Sequence, residues 1–253
     1  MRGLKDKRVI VTGGGSGIGR AICRRLGEEG ATVHIFDLSE TGAHDTAGMV
    51  ADAGGTASAH RVDITDRAAV DAAVARVAEA GPIHGLVNNA GWDEIKPFLD
   101  TDPDLWRKVV DINLYGPLHM HHAVLPVMAR QGGGRVVNIS SDAGRVGSSG
   151  EAVYAACKGG IVAFSKTVAR ELARKGVQIN CVCPGPTDTP LFAEVAKGEA
   201  GEKIKQGLER SIPMKRLAQP EDYPGIVCLL LSDDAGFITG QTISVSGGLT
   251  MHG

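Results

Sequence analysis

KRVIVT at residues 7–12 runs straight into GGGSGIG at 13–19 and then into RAICRRLGEEG at 20–30. The first piece is a short β-branched run that suits a buried strand, and the last reads as a helix. Strand, glycine loop and helix, in that order, form the context that a dinucleotide fingerprint requires. Gly13, Gly17 and Gly19 let the backbone turn tightly and approach a pyrophosphate with no Cβ in the way. Ser16 and Ile18 belong to the same loop. The helix start adds free N–H groups and a positive dipole end. The loop alone is a weak signal, because glycine is common here, 35 of 253 residues.

The next strands strengthen it. ATVHIF at 31–36 ends at Asp37, whose carboxylate can accept hydrogen bonds from the adenosine ribose hydroxyls and would repel a 2′-phosphate. Leu38, Ser39 and Glu40 follow with no cation among them, and Ser16 puts none inside the loop. The expected cofactor is therefore NAD, not NADP. ASAHRV at 57–62 leads to Asp63 and Ile64, the next cofactor candidates. Asp63 either faces the adenine or caps the following helix, which Asp66 can do equally well. HGLV at 84–87 runs into Asn88-Asn89-Ala90-Gly91, where Asn89, Ala90 and Gly91 combine small size with an amide able to pin loops.

A second constellation lies further on, at Ser141, Tyr154 and Lys158. Tyr154 and Lys158 are one helical turn apart and share a face. An ammonium about 4 Å from a phenol, at an effective dielectric near 20, favours the phenolate by roughly 4 kcal/mol. At about 1.36 kcal/mol per pKa unit, that would bring a tyrosine from about 10 to near 7. Such a group takes a proton from an alcohol or returns one to a ketone, while a neighbouring serine holds the reacting oxygen. By themselves Tyr154 and Lys158 read as an ordinary surface pair; the nucleotide-binding half of the chain tips the reading.

TGGGSGIG at 12–19, NNAG at 88–91, Asn113 in DINLYG, Ser141, the YxxxK spacing at 154–158 and CPGPTDTP at 183–190 resemble, in that order, the short-chain dehydrogenase/reductase family. The likeness covers nearly the whole chain. It implies an α/β fold, a single-domain Rossmann-type doubly wound parallel sheet with helices on both faces. By that likeness Tyr154 is the acid/base, and Lys158 lowers its pKa and binds the nicotinamide ribose. Ser141, rather than Ser140, orients the substrate oxygen. Asn113 holds a water linking Lys158 to solvent, and Pro184, Gly185, Thr187 and Thr189 contact the nicotinamide half. NNAGWD, HMHHAVLP, VGSSGEAVYAACKGG, DDAGFITGQ and SVSGGLTM look like family members that oxidise a ring hydroxyl β to a CoA thioester with NAD. The expected reaction is then β-hydroxyacyl-CoA to β-ketoacyl-CoA, on a substrate like 2-hydroxycyclohexanecarbonyl-CoA. The alternatives are a 3-oxoacyl-carrier-protein reductase-like enzyme, which Asp37 disfavours, and a dehydrogenase of a free cyclic alcohol, sugar or steroid. A non-enzymatic NAD-binding regulator is disfavoured by the intact set Asn113, Ser141, Tyr154 and Lys158. Two residues depart from common family wording: Cys157 before the lysine, and Ser246 before the last glycine pair.

A chain of 253 residues, 43% hydrophobic, with alternating strand-like and helix-like segments, suits one α/β domain over 1–253. The resemblance makes 191–216 a substrate lid, although its mixed charges, including Lys197, Lys203, Lys205, Lys215 and Arg216, also suit a solvated helix face. A net charge of −2 gives no nucleic-acid footprint. No apolar run is long enough to span a membrane, and MRGLKDKR lacks a signal core. The five cysteines read as buried thiols of a cytoplasmic protein. The eight histidines form no ligand set, so no metal is expected; His119, His121 and His122 are read as core or surface residues. Trp92, Asp93, Arg145 and Val146 are candidates for the substrate border. A homotetramer is implied by the family likeness.

Overall fold

The computed structural model describes residues 1–195 and 198–251. Seven strands, β1 (Arg8–Thr12), β2 (Thr32–Asp37), β3 (Thr56–Arg61), β4 (Gly85–Asn88), β5 (Gly134–Ile139), β6 (Val177–Pro184) and β7 (Thr242–Val245), form one sheet. Their order is β3-β2-β1-β4-β5-β6-β7, and each neighbouring pair is parallel. The chain winds outward in one direction from β1 and in the other from β4. The gap between those two strands is the topological switch point at which such sheets bind ligands. Thr12 is level with Phe36 on one side and Asn88 on the other, so the carboxyl ends of the central strands open onto one crevice.

Helices α1 (Gly17–Glu28), α2 (Glu40–Asp52), α3 (Arg67–Glu79), α4 (Pro103–Val110), α5 (Gly116–Arg130), α6 (Ala143–Val146), α7 (Ala152–Leu172), α8 (Pro190–Val195), α9 (Gly198–Ser211) and α10 (Pro224–Leu231) complete the fold. Strand alternation feeds a core on each face of the sheet. Val9, Val11, Val33 and Ile35 pack with Ile22 and Leu26 of α1 and with Val227 and Leu230 of α10. Ile10, Phe36, Leu86 and Val136 pack with Val70 and Val74 of α3, with Met120 and Val124 of α5, and with Ala169 of α7.

Two ends needed the tertiary structure. Asp66, not Asp63, caps α3: its Oδ1 accepts from the N–H of Ala68 at 2.9 Å and of Ala69 at 3.1 Å. Between α4 and α5 the backbone makes a π-helical turn, Asp111–Tyr115, which carries Asn113. Wide turns of this kind are rare and concentrate at functional sites. Among the described residues, no helix is long and apolar enough to cross a membrane.

Candidate active site

The glycine loop is closed by residues from β4. Asn89 donates from Nδ2 to the carbonyls of Thr12 at 3.1 Å and Gly13 at 3.0 Å. In return, the Thr12 hydroxyl accepts from the N–H of Asn89 at 3.0 Å and of Ala90 at 3.1 Å. A Cβ on Gly19 would stand 2.1 Å from the Gly13 carbonyl oxygen, and Gly13 itself has φ +64° against the Ala90 backbone. The loop is thus cinched against the segment that follows β4. Ser16 is exposed and heads α1 without a side-chain cap bond, so the helix start is open to an anion. Gly17 has φ +50° and Ile18 is half-buried beside it.

Asp37 closes the outer end of this cradle. Its carboxylate accepts from the N–H of Gly15 at 2.8 Å and of Ser39 at 2.8 Å. A ribose edge would meet this oxygen pair. Sequence reading missed Arg20, which reaches back from α1 to donate to the Gly15 carbonyl and, at 3.0 Å, to Thr46 on α2. Its only sequence signal was its place one turn after Ser16. Asp63 is exposed and occupied locally, accepting from the Thr65 N–H at 2.8 Å and hydroxyl at 2.7 Å. Ile64 is buried against Gly116.

Across the crevice, Asn113 is fully buried and clamps Trp92, donating to its carbonyl at 2.6 Å and accepting from its N–H at 3.3 Å. A Cβ on Gly91 would lie 2.9 Å from Asn113 Oδ1 and 3.4 Å from Lys158 Nζ. Gly91 is exposed, so the amide and the ammonium both lie close to an open stretch of backbone. Ser140 is buried and ties its hydroxyl to the Lys158 carbonyl at 2.9 Å. Ser141 instead stands beside Tyr154, where its hydroxyl works against the rise of the phenol, and its Oγ accepts from the Ala143 N–H at 3.1 Å.

The acidity expected for Tyr154 is not what the folded chain produces. Burial pushes the phenol well above its ordinary value of 10, Glu151 and Asp93 add to the rise, and only the bond from Ser141 opposes it. Lys158 does not compensate. Its Nζ sits 5.4 Å from the ring centroid and donates to the Ile139 carbonyl at 3.0 Å. Helical spacing placed the two Cβ atoms on one face, but the backbone of β5 decided where the ammonium went. Lys158 is itself pushed down by burial to about 8, from an ordinary 10.5.

That depression has a sign. Between about pH 8 and 10.5 the unfolded chain still holds the lysine proton and the native chain does not. Stability therefore rises with pH across that window, and below it the native state carries a penalty of about 3 kcal/mol. Lys158→Met is expected to melt no lower than the parent at pH 7, despite losing the bond to Ile139, with any advantage fading by pH 10.5. Differential scanning fluorimetry over pH 6–10.5 checks this, and a steep loss at pH 7 would contradict it.

The remaining candidates come from the end of β6. Gly185 packs so closely on Ser246 that a Cβ would stand 2.7 Å from the serine Cβ. Thr187 turns its hydroxyl to the Tyr223 hydroxyl at 2.6 Å, so toward the crevice it offers backbone rather than a side-chain donor. Thr189 accepts from the Phe192 N–H at 3.2 Å to start α8 and lies 3.7 Å from the Cβ position of Gly17. Thr189 thus reaches the glycine loop from the far side of the crevice. Arg145 points elsewhere, donating to Ser244 at 2.7 Å, and Ser244 in turn donates to Asp142. His121 is buried and held neutral, its pKa pushed down to about 4, between the Pro117 carbonyl and the amides of Asn88 and Asn138. All five cysteines are free and buried.

A parallel sheet with a cinched glycine loop at its switch point, facing a Ser-Tyr-Lys group, defines a nicotinamide-dependent oxidoreductase acting on hydroxyl groups. The family model described as "Enoyl-(Acyl carrier protein) reductase" matches residues 13–250. The chain belongs to the short-chain dehydrogenase/reductase family. It is 35% identical to a (3R)-3-hydroxyacyl-CoA dehydrogenase of Homo sapiens, over 98% of this chain and 97% of that protein. It is 38% identical to a cis-4-hydroxycyclohexanecarboxylate dehydrogenase of Sinomonas cyclohexanicum, over 97% of each. The actinorhodin polyketide ketoreductase with NADPH superposes with a TM-score of 0.92 at 34% identity, over the full length of both chains. NAD⁺-bound xylitol dehydrogenase superposes with a TM-score of 0.93 at 31% identity, over 98% of this chain and 100% of that one.

Proposed function

We propose that this protein uses NAD to interconvert a secondary alcohol and a ketone on a β-hydroxyacyl-CoA of the 2-hydroxycyclohexanecarbonyl-CoA type. The observation that carries the reaction is Ser141 set beside Tyr154, with Asn113 and Lys158 both close to Gly91 and the glycine cradle alongside. Ser141 and Tyr154 hold the substrate oxygen, and Tyr154 exchanges its proton. Lys158 holds the nicotinamide ribose, and Asn113 keeps that end of the site connected to solvent. Gly13, Ser16, Gly17, Ile18 and Gly19 receive the pyrophosphate. Asp37 takes the adenosine ribose and Asp63 and Ile64 border the adenine. Asn89, Ala90, Gly91, Pro184, Gly185, Thr187 and Thr189 frame the nicotinamide half. The dinucleotide, when bound, supplies the hydride-accepting carbon. As folded, Tyr154 is a neutral phenol, ready to protonate a ketone oxygen; alcohol oxidation needs its anion and should speed up as pH rises.

NAD is favoured over NADP because Asp37 is aimed at the loop through Gly15, where a 2′-phosphate would meet a carboxylate. Replacing Asp37 with alanine and Leu38 with arginine is expected to move the kcat/KM ratio toward NADP by at least tenfold, about 1.4 kcal/mol. An unchanged ratio would place the ribose elsewhere.

The thioester reading draws on the segment likeness and on the hydroxyacyl-CoA relative. The Sinomonas relative favours a second reading, a free cyclic alcohol as substrate. NADH absorbance during turnover of hydroxyacyl-CoA thioesters, the matching free acids and plain cyclic alcohols separates the two. Equal rates with and without CoA would remove the thioester. The same proposal takes α8 and α9, within 191–216, as a lid: Thr189, at the edge of the crevice, starts α8. Lys197 lies outside the described residues. It also takes the whole of 1–253 as one catalytic domain, working as a cytoplasmic homotetramer. Phe164 of α7 packs on His121 with ring centroids 4.8 Å apart. Sedimentation equilibrium tests the tetramer.

A further inference from the structure

Asp93 is a carboxylate that none of the roles above uses. It follows Trp92, whose backbone Asn113 holds at both the N–H and the carbonyl, so its position is set by the fold. Its Oδ2 is buried and has no hydrogen-bond partner. A buried polar atom without a partner is uncommon in a native structure and calls for an explanation. The stretch from Asp93 to Lys96 docks on the start of α7: the Lys96 N–H donates to the Gly150 carbonyl at 2.9 Å, and a Cβ on Gly150 would strike Ile95 at 2.8 Å. This docking sets Asp93 against the Glu151 carboxyl, three residues before Tyr154. Asp93, Glu94, Glu151 and Tyr154 line one cavity, with Lys96 the single cation among its lining residues and an apolar wall that includes Phe98 and Trp106. Burial first, and Glu151 second, push the Asp93 carboxyl up to about 6, so it is mainly ionised at neutral pH.

We propose that Asp93, backed by Glu151, is a specificity-determining residue that turns away substrates with a free carboxylate beside the carbinol and admits neutral acyl derivatives such as esters and thioesters. It rests on the reading of Tyr154 as the group that meets the substrate oxygen, and deepens it. Tyr154, Asp93 and Glu151 share this cavity wall, and the charges of Glu151 and Asp93 both act on the phenol, so a carbinol held by Tyr154 sits in their field. A carboxylate one or two bonds from the carbinol carbon must then lie against Asp93 and Glu151, where like charges sharing a half-buried site repel strongly. Replacing its –O⁻ by –OR or –SR removes that conflict. Lys96 offsets one of the three carboxylates and leaves the lining net negative.

The test is binding of a β-hydroxy acid and its methyl ester to the protein–NADH complex, followed by NADH fluorescence at pH 8, with the parent and Asp93→Asn. The parent should bind the ester at least tenfold more tightly than the acid. Asp93→Asn should tighten the acid at least tenfold, change the ester less than threefold, and leave NADH affinity alone. An ester-to-acid ratio that does not move overturns the proposal, as does an equal weakening of both. Should Asp93→Asn fold poorly, Glu151→Gln must shift the same ratio in the same direction, and an unmoved ratio there counts equally against it. Because the probe carries no CoA, the two readings fail separately. Loss of the thioester preference with the ester-to-acid ratio intact rejects the CoA substrate alone. A vanished ratio with thioester turnover intact rejects the role of Asp93 alone.

Discussion

Tyr154→Phe is expected to lower kcat by at least about a thousandfold while NADH still binds within threefold of the parent affinity. Removing one oxygen atom leaves the ring and its packing, so the crevice keeps its shape. What disappears is the proton donor and acceptor, and positioned acid–base groups contribute on the order of 10²–10⁴ in rate. The serine hydroxyl of Ser141 would then have to hold the substrate oxygen alone. Stopped-flow single turnovers separate the chemical step from product release, and fluorescence titration reports NADH binding. Retained turnover would refute the proton-transfer role. The pH profile sharpens the test. Burial, Glu151 and Asp93 all raise the phenol, so oxidation by the parent should keep climbing into the alkaline range. A flat profile from pH 6 upward would mean that the bound state acidifies Tyr154 far more than the folded chain alone does.

Gly19→Ala should be nearly as damaging, through binding rather than chemistry. The added methyl would stand 2.1 Å from the Gly13 carbonyl oxygen and 2.5 Å from Asn89 Nδ2. The first is backbone, which cannot swing aside as a side chain does. The loop must open, and opening it breaks the Asn89 bonds to Thr12 and Gly13 that hold the cradle shut. NADH affinity is expected to fall at least thirtyfold, about 2 kcal/mol. The melting temperature should also drop, since the clash lies where α1 meets the sheet. Calorimetric titration checks the first and scanning calorimetry the second. Affinity within threefold of the parent would show that the dinucleotide does not use this loop. Gly48, whose Cβ position meets nothing within 4 Å, supplies the control: Gly48→Ala on α2 should leave binding unchanged.

What could be read from the residues alone was local. Strand 7–12, the glycine loop and the helix after it are contiguous, so their order carried the fold. Strands β1 to β4 lie within about one residue of the runs picked out by pattern. Asp37 stands at the end of β2 for the same reason: alternation and strand length are properties of a short window. The spacing of Tyr154 and Lys158 correctly placed both on α7.

The direction and charge of those groups belonged to the tertiary structure. Lys158 turned to the Ile139 carbonyl, 19 residues away in sequence, and Thr187 turned to Tyr223, 36 residues away. The π-helical turn that carries Asn113 left no mark in the sequence pattern. Asp93 met Glu151 only because the 93–96 segment docked on the start of α7. Helical and strand periods say which way a Cβ points and stop there. A pKa is set by every charge and dipole within several ångströms and by the water excluded around it, and those neighbours arrive from distant parts of the chain. The amino-acid order by itself determined a dinucleotide-binding α/β sheet with a tyrosine and a lysine on one helix face; packing alone decided that the tyrosine is a neutral acid walled by carboxylates.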